Sequence, residues 1–480
     1  RKPRDGRCRI NRTMQVREKL NCPMLNCSNK LSVPRQIHRF ARLVATLVTT
    51  ALIFTTASAD PHVRISANHD NGVYAPDEPV KWRVEVQGAA DSNIAEATYV
   101  IKQGGLTPIR EGTLQLTNGM TEIVSALSEP GTLLLEIKVP LADGKKTNFL
   151  GGAVISPKHI KPSSSRPSDF DAFWESKLEE LSRIPMNPKL VSDDRERPKT
   201  EYWQITMDNI RGTRIRGNLA RPRAEGKYPA MLIVHGAGVS GLQPNTVTGP
   251  AAKGWLALSI LAHDLPIDEA PEFYTQLSQG PLKSYWFIGN TNRETGYFLR
   301  MYLACHRAVQ YLSERPDWDG KTLLVTGASQ GGMQALVAAG LNPKVTAVIA
   351  SVPGGCDLTG AQVGRTAGWP MRFWKTTHAE TEAVLAASRY YDVVNFVPRI
   401  KCPILVGIAL ADEICPPAGI FAAVNQANVP LEVVIMPQAG HLSDNNAHQA
   451  FKERKNAWQA ALLEGRPAPV LARSASRNTP

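Results

Sequence analysis

The chain has little cysteine, no lasting excess of charge and no long apolar run, and each shortage closes off a class of function. Seven cysteines in 480 residues are too few and too scattered for a disulfide framework, and no CxxC pair or His/Cys cluster has structural-zinc spacing. Cys8, Cys22 and Cys27 lie in a basic opening stretch, while Cys305, Cys356, Cys402 and Cys415 read best as buried free thiols. The net charge of +12 invites a nucleic-acid partner until it is located. Residues 1–59 hold 12 Lys/Arg against 2 Asp/Glu, and the rest of the chain holds 43 against 41. The surplus belongs to the front segment, so no nucleic-acid partner is expected. No internal repeat is visible.

The front segment itself reads as an export signal. His38, Arg39 and Arg42 precede the apolar run LVATLVTTALIF at 43–54, and 55–59 end in a small-x-small pattern. That is the layout of a signal peptide over 38–59, and the run is too short for a stable membrane anchor. An exported protein, periplasmic or extracellular, is expected. Residues 1–37 have no periodicity and read as a disordered extension or an over-extended reading frame.

What is present divides the remainder in two. Short alternating or β-branched runs at 80–86, 97–102, 112–116, 121–126, 132–139 and 148–155 are separated by Gly, Pro, Asn and Asp. They predict a small all-β sandwich of about seven strands over 60–155. A Ser/Pro/Lys-rich linker follows at 156–167. Ser168 or Asp169 then caps a helix to residue 182, with Phe170, Phe173, Trp174, Leu178 and Leu181 on one face. From about 200, nearly continuous apolar runs at 230–234, 257–261, 323–326, 347–350, 404–408 and 432–436 alternate with helical segments such as 297–312. Strands buried on both faces look like this, so 168–465 is expected to be an α/β domain on a doubly wound, mostly parallel sheet. Residues 357–398 interrupt the alternation as a candidate cap, and 466–480 read as a disordered tail.

The strongest local signal is Gly327-Ala328-Ser329-Gln330-Gly331, with a strand before it and a helical stretch after it. G-x-S-x-G in that setting is a nucleophile elbow: a tight turn projects the serine Oγ, and the flanking glycines keep side chains off neighbouring backbone. A serine hydroxyl needs a base, and the base an orienting carboxylate. On an α/β-hydrolase sheet these follow in the order Ser, acid, His. Asp412, rather than its neighbour Glu413, ends the strand near 404–411; His441, rather than His448, follows the strand 432–436 and a turn. The oxyanion of an acyl-transfer intermediate needs fixed N–H donors. The backbones of Gln330 and of Ala237, in the loop His235-Gly236-Ala237-Gly238, are the candidates. His263 follows a strand and either lines the pocket or is structural. Trp286, Trp369 and Trp374, with Tyr285, Phe287 and Phe373, either contact substrate or simply pack the core.

Longer stretches carry a family likeness. SRPSDFDAFWESKLEEL, RAVQYLSERPDWDGKTLLVTGASQGG and ADEICPP resemble the acetyl xylan esterase / cephalosporin C deacetylase family of carbohydrate esterases over about 165–460. The resemblance implies a Ser329–His441–Asp412 triad with Ala237 and Gln330 backbone donors. It also implies removal of acetyl groups from xylan, xylo-oligosaccharides or small acetate esters through an acyl-enzyme, with no metal or cofactor. Three positions depart from the family pattern. His263-Asp264-Leu265-Pro266 stands where the family has an Arg-Gly-x-x-Gln element, Leu442 follows His441 in place of Glu, and Ala237 occupies a frequent Tyr position. A serine exopeptidase on the same scaffold and a non-catalytic carbohydrate-binding relic are the alternatives.

Overall fold

The computed structural model describes residues 61–87 and 96–471, apart from 142, 144, 194–196, 372–377 and 443–445. The expected signal peptide at 38–59, the stretch before it, residues 472–480 of the expected tail, and Phe373 and Trp374 lie outside the described residues. Everything described falls in one compact unit, Ala57–Pro480. Among the described residues no helix is long and apolar enough to cross a membrane.

The front of this unit is two sheets on one core. Strands β1 (His62–Ala67), β3 (Val80–Gln87) and β6 (Met120–Ser125) form one; β2 (Val73–Tyr74), β8 (Lys146–Ile155), β7 (Gly131–Pro140), β4 (Thr98–Gln103) and β5 (Thr107–Thr113) form the other, in that order. Along β3 the period-2 rule is visible: Val80, Trp82, Val84 and Val86 point inward, and Lys81 and Arg83 outward. The inward set meets Ile101, Leu133, Leu135 and Ile137 of the facing sheet. The structure shifts one expected strand, from 112–116 to β5, and adds β1, whose half-exposed residues give little alternation to read.

Strand β7 and the second half of β8 are buried on both faces, so their outer face also needs a cover. The rest of the chain supplies it. Val154 joins the core that holds Phe170 and Trp174, and a Cβ added at Gly152 would lie 2.1 Å from the Leu410 carbonyl oxygen. Only glycine permits that approach.

The main sheet has nine strands: β9 (Lys189–Ser192), β10 (Thr200–Asp208), β11 (Arg214–Pro222), β12 (Tyr228–Val234), β13 (Leu256–Ile260), β14 (Trp318–Ala328), β15 (Ala347–Ser351), β16 (Ile404–Ala409) and β17 (Leu431–Met436). Their order is β17-β16-β15-β14-β12-β13-β11-β10-β9. Pairing is parallel from β13 to β17 and antiparallel among β13, β11, β10 and β9. Helices cover both faces. Phe298–Glu314 and Gln330–Leu341 pack on one through Tyr302, Val309, Met333 and Leu336. Asn245–Ala251 and Gln449–Leu463 pack on the other through Val247, Phe451 and Trp458. This is the α/β-hydrolase architecture, doubly wound as expected. A fully buried indole such as Trp174 removes roughly 150–250 Å² from water, worth about 4–6 kcal/mol at ~25 cal/mol per Å².

The entry helix Phe170–Ser182 exists, but Asp169 does not cap it with its side chain. The carboxylate accepts instead from the Tyr390 hydroxyl and from Arg293 (2.6 Å), and these partners lower its pKa. Between β15 and β16 the chain makes the excursion expected as a cap, with helices His378–Ser388 and Val393–Phe396. Its base is clasped. The Asp392 carboxylate accepts from the N–H groups of Asp357 (2.9 Å), Leu358 (2.6 Å) and Val394 (3.0 Å). The segment read as a linker is stapled to this excursion: Ser163 donates through its N–H (2.7 Å) and hydroxyl (2.6 Å) to Asp357.

Candidate active site

Parallel strands put their carboxyl ends on one edge, and three of those ends carry the predicted residues. β14 ends at Ala328, just before Ser329; β16 ends at Ala409, three residues before Asp412; β17 ends at Met436, five before His441. The ladder pairs Ala409 with Met436 and continues beyond the strands, with Ala411 N–H donating to Ala439 O at 3.0 Å. That tie sets the acid loop beside the histidine loop.

Ser329 sits at φ 56°, ψ −124°, a backbone state costing on the order of 1–3 kcal/mol that the surroundings must hold. They hold it through the glycines. A Cβ at Gly327 would meet the Gly331 backbone at 2.5 Å, and one at Gly331 would meet the Val234 carbonyl oxygen at 2.5 Å. Ser329 N–H donates to Ser351 O (2.9 Å) and Ser329 O accepts from Gly354 N–H (3.0 Å).

The three side chains form one hydrogen-bonded line. His441 Nε2 lies 3.0 Å from Ser329 Oγ, and His441 Nδ1 lies 2.7 Å from Asp412 Oδ2. The other Asp412 oxygen accepts from the N–H groups of Ile414 and Cys415, both at 2.8 Å. Since a carboxylate only accepts, Nδ1 carries a proton and Nε2 faces the serine hydroxyl as acceptor, the tautomer a general base needs. Asp412, not Glu413, is thus the carboxylate on His441. His448 meets the Gly440 carbonyl (3.0 Å), where it steadies the turn before His441. Among the described residues, Asp412, Cys415 and His441 also have ligating atoms within 4.8 Å of one another. The carboxylate and imidazole of that group are already engaged with each other, with backbone N–H groups and with Ser329.

The other flank of Ser329 carries more than the sequence revealed. Gln330 opens the helix, where backbone N–H groups have no intrahelical acceptor; Ala237 lies in the facing loop. His263 is no open pocket wall. It is buried, with Nε2 on Gly238 O (2.9 Å) and Nδ1 on the Tyr297 hydroxyl (2.6 Å). Burial lowers its pKa to about 4, so it is neutral. Tyr285, read only as part of an aromatic cluster, donates its hydroxyl to Gln330 Oε1. Burial raises the Tyr285 pKa and keeps that proton on. A tyrosine 45 positions before the motif gives no sequence signal for such a role.

Trp369 is 3% exposed and packs against Tyr285, Trp286 and Phe298. It backs the site through Gly354, whose added Cβ would touch the indole at 3.1 Å. Trp286 is partly buried beside it. Trp374 lies outside the described residues. Cys305, Cys356, Cys402 and Cys415 are all buried.

Comparison with known proteins is consistent across sequence and structure. The profile of the acetyl xylan esterase (AXE1) family matches residues 156–462. Acetyl esterase Axe7A of Xylanibacter ruminicola is 30% identical over 420 residues, covering 85% of this chain and 94% of that protein. That share exceeds what residues 156–462 alone can supply, so the likeness includes part of the flanking chain. An acetyl xylan esterase from Paenibacillus sp. R4 superposes with a TM-score of 0.54 at 26% identity, over 63% of this chain and 98% of that one. Acetyl xylan esterase 1 from Thermoanaerobacterium sp. JW/SL YS485, at 23% identity and a TM-score of 0.51, covers 62% of this chain and 97% of its own, and supports the fold.

Proposed function

The chain belongs to the acetyl xylan esterase family and is a hydrolase acting on acetyl esters; from that premise we propose an exported serine carboxylesterase that deacetylates xylan, xylo-oligosaccharides or related acetyl esters. Ser329 is its nucleophile, His441 its base and Asp412 its orienting acid. The observation that carries the assignment is the unbroken line Asp412–His441–Ser329 at 2.7 Å and 3.0 Å.

The chemistry follows from those contacts. Ser329 Oγ attacks the acetyl carbonyl carbon as its proton passes to His441 Nε2. Asp412 stabilises the resulting imidazolium and keeps Nδ1 protonated. The carbonyl oxygen, now an oxyanion, accepts from the backbone N–H groups of Gln330 and Ala237. Collapse expels the sugar alkoxide, which takes the proton from Nε2 and leaves acetyl-Ser329. Water, deprotonated by the same Nε2, attacks this ester; a second collapse releases acetate and restores the serine. The expected signal peptide at 38–59 supports export, to the periplasm or beyond.

The test is acetate release by the purified protein from acetylated xylan, beside p-nitrophenyl acetate and p-nitrophenyl butyrate. Release from xylan, with acetate strongly preferred over butyrate, is the expected result. Turnover of the small esters alone would remove xylan from the proposal. Inactivity on all three would overturn it.

A further inference from the structure

The loop 235–238 carries the Ala237 N–H, and nothing in its own sequence makes it stiff. Gly238 stands at φ +118°, with nothing within 4 Å of an added Cβ, and the nearest atom to one at Gly236 is 3.8 Å away. Gly238 is needed for backbone conformation, not for lack of room, and the freedom that two glycines bring must be removed if a donor is to wait in place for a developing charge.

Three buried side chains remove it by taking three of the four loop carbonyls. Gln334 Nε2 donates to His235 O (2.8 Å), Gln330 Nε2 to Gly236 O (3.1 Å) and His263 Nε2 to Gly238 O (2.9 Å). The middle contact bears on catalysis. A trans peptide is planar, with its N–H directed opposite its C=O. Gly236 C=O and Ala237 N–H share one peptide plane, so the bond that fixes the carbonyl toward Gln330 also fixes the direction of the Ala237 N–H.

The proton inventory allows one arrangement. Gln330 Oε1 accepts from the Tyr285 hydroxyl, which orients the amide so that Nε2 is the end facing Gly236. His263 must donate from Nε2 to a carbonyl, so its Nδ1 accepts from Tyr297. Two relays therefore run to the loop, Tyr285 to Gln330 to Gly236 and Tyr297 to His263 to Gly238, with Tyr285, Gln330 and His263 all buried.

We infer that the Gln330 side chain, locked by Tyr285, is a positioning residue that aims the Ala237 N–H at the oxyanion. The inference rests on the serine-esterase reading above. Gln330 then serves the oxyanion twice, with its own backbone N–H and, through Gly236, with that of Ala237. The side chain itself touches no reacting atom.

Gln330→Met tests this, because methionine keeps the backbone N–H and fills the same space but cannot donate. Three quantities are read: kcat and KM for p-nitrophenyl acetate, thermal unfolding, and the affinity of a methyl trifluoromethyl ketone. That ketone adds to a serine as an anionic hemiketal, whereas the ester's KM reports largely on the ground state. Losing one oxyanion donor outright costs roughly 10²–10³-fold in kcat, so a mis-aimed one should cost roughly tenfold to hundredfold. The expected result is that fall in kcat with KM within about twofold, and ketone affinity weakened by the same factor. Tyr285→Phe, which frees the amide but keeps the ring, should show a smaller parallel loss, and it carries the test if Gln330→Met does not fold. Full kcat, or a fall in kcat with ketone affinity intact, overturns the inference. Ser329→Ala separates the two levels. If the wild-type protein binds the ketone as tightly as Ser329→Ala does, the esterase reading itself fails, not only the role of Gln330.

Discussion

The two flanks of Ser329 are built on different plans. On the oxyanion side, Tyr285, Gln330, His263 and Tyr297 form a buried network behind a glycine-rich loop. On the acid–base side, His441 stands on a turn at the surface. Its side chain is 13% exposed and the next residue, Leu442, is 90% exposed. Asp412 beneath it is buried, but it is held by two local N–H groups and braced from outside by the front sheets at Leu410. The difference matches the two tasks proposed for these flanks. Dipoles that stabilise a charge must be in place before it forms, which a buried, hydrogen-bonded network favours. A base that exchanges protons with sugar and water must reach solvent.

The comparison can be broken at its shared centre first. Ser329→Ala should lower kcat/KM by about 10⁴- to 10⁶-fold while leaving thermal unfolding nearly unchanged; activity within tenfold of wild type would mean that both flanks have been assigned to the wrong residue. Next comes the acid–base flank alone. Asp412→Asn keeps the shape but favours the wrong histidine tautomer, and should cost about 10⁴-fold in kcat, against a far smaller loss for Glu413→Gln in the same assay.

The outside brace is a milder lever. Gly152→Ala drives a methyl group into the Leu410 carbonyl, two residues from Asp412. Overpacking of this kind costs about 1–3 kcal/mol, read as a lower unfolding midpoint. A fall in kcat should accompany it, and unchanged stability would show that the front sheets do not bear on the acid loop.

The smallest effect sharpens the buried flank. His263 has its pKa lowered from 6.5 to about 4 by burial, and His306, on the helix Phe298–Glu314, likewise to about 4. The unfolded chain takes up these protons near pH 6.5, while the folded one resists until about pH 4. Both groups therefore withdraw stability as pH falls through that window. The unfolding midpoint should drop from pH 6.5 to 4, and His306→Leu should flatten part of that slope. A slope identical to wild type in that variant would contradict the burial argument.

Much of this was legible in the sequence because it rests on local rules. The elbow declares itself through glycines that backbone contacts of 2.5 Å require, and strand ends locate Asp412 and His441 because parallel strands share an edge. The α/β alternation was equally plain from runs buried on both faces. What escaped was built from long-range pairs. Tyr285 and Gln330 are 45 positions apart, and no spacing rule links a tyrosine in a short turn to a glutamine beside the nucleophile. Asp169 misled for the same reason: a good capping residue was taken by Arg293 and Tyr390, distant partners that only the fold brings near. The front sheets were visible as β structure, and the run 148–155 read as a strand through Gly151-Gly152, yet nothing in its pattern showed that Gly152 packs against the Leu410 carbonyl.

The central claim is that Ser329 alone among the serines is activated by His441, and diethyl p-nitrophenyl phosphate tests it most directly. Reaction with the intact protein, followed by peptide mapping, should place one diethylphosphoryl group on Ser329, with esterase activity lost in proportion to labelling. The Asp412→Asn variant should label far more slowly. A label on another residue, or full labelling of Ser329 with activity retained, would contradict the account.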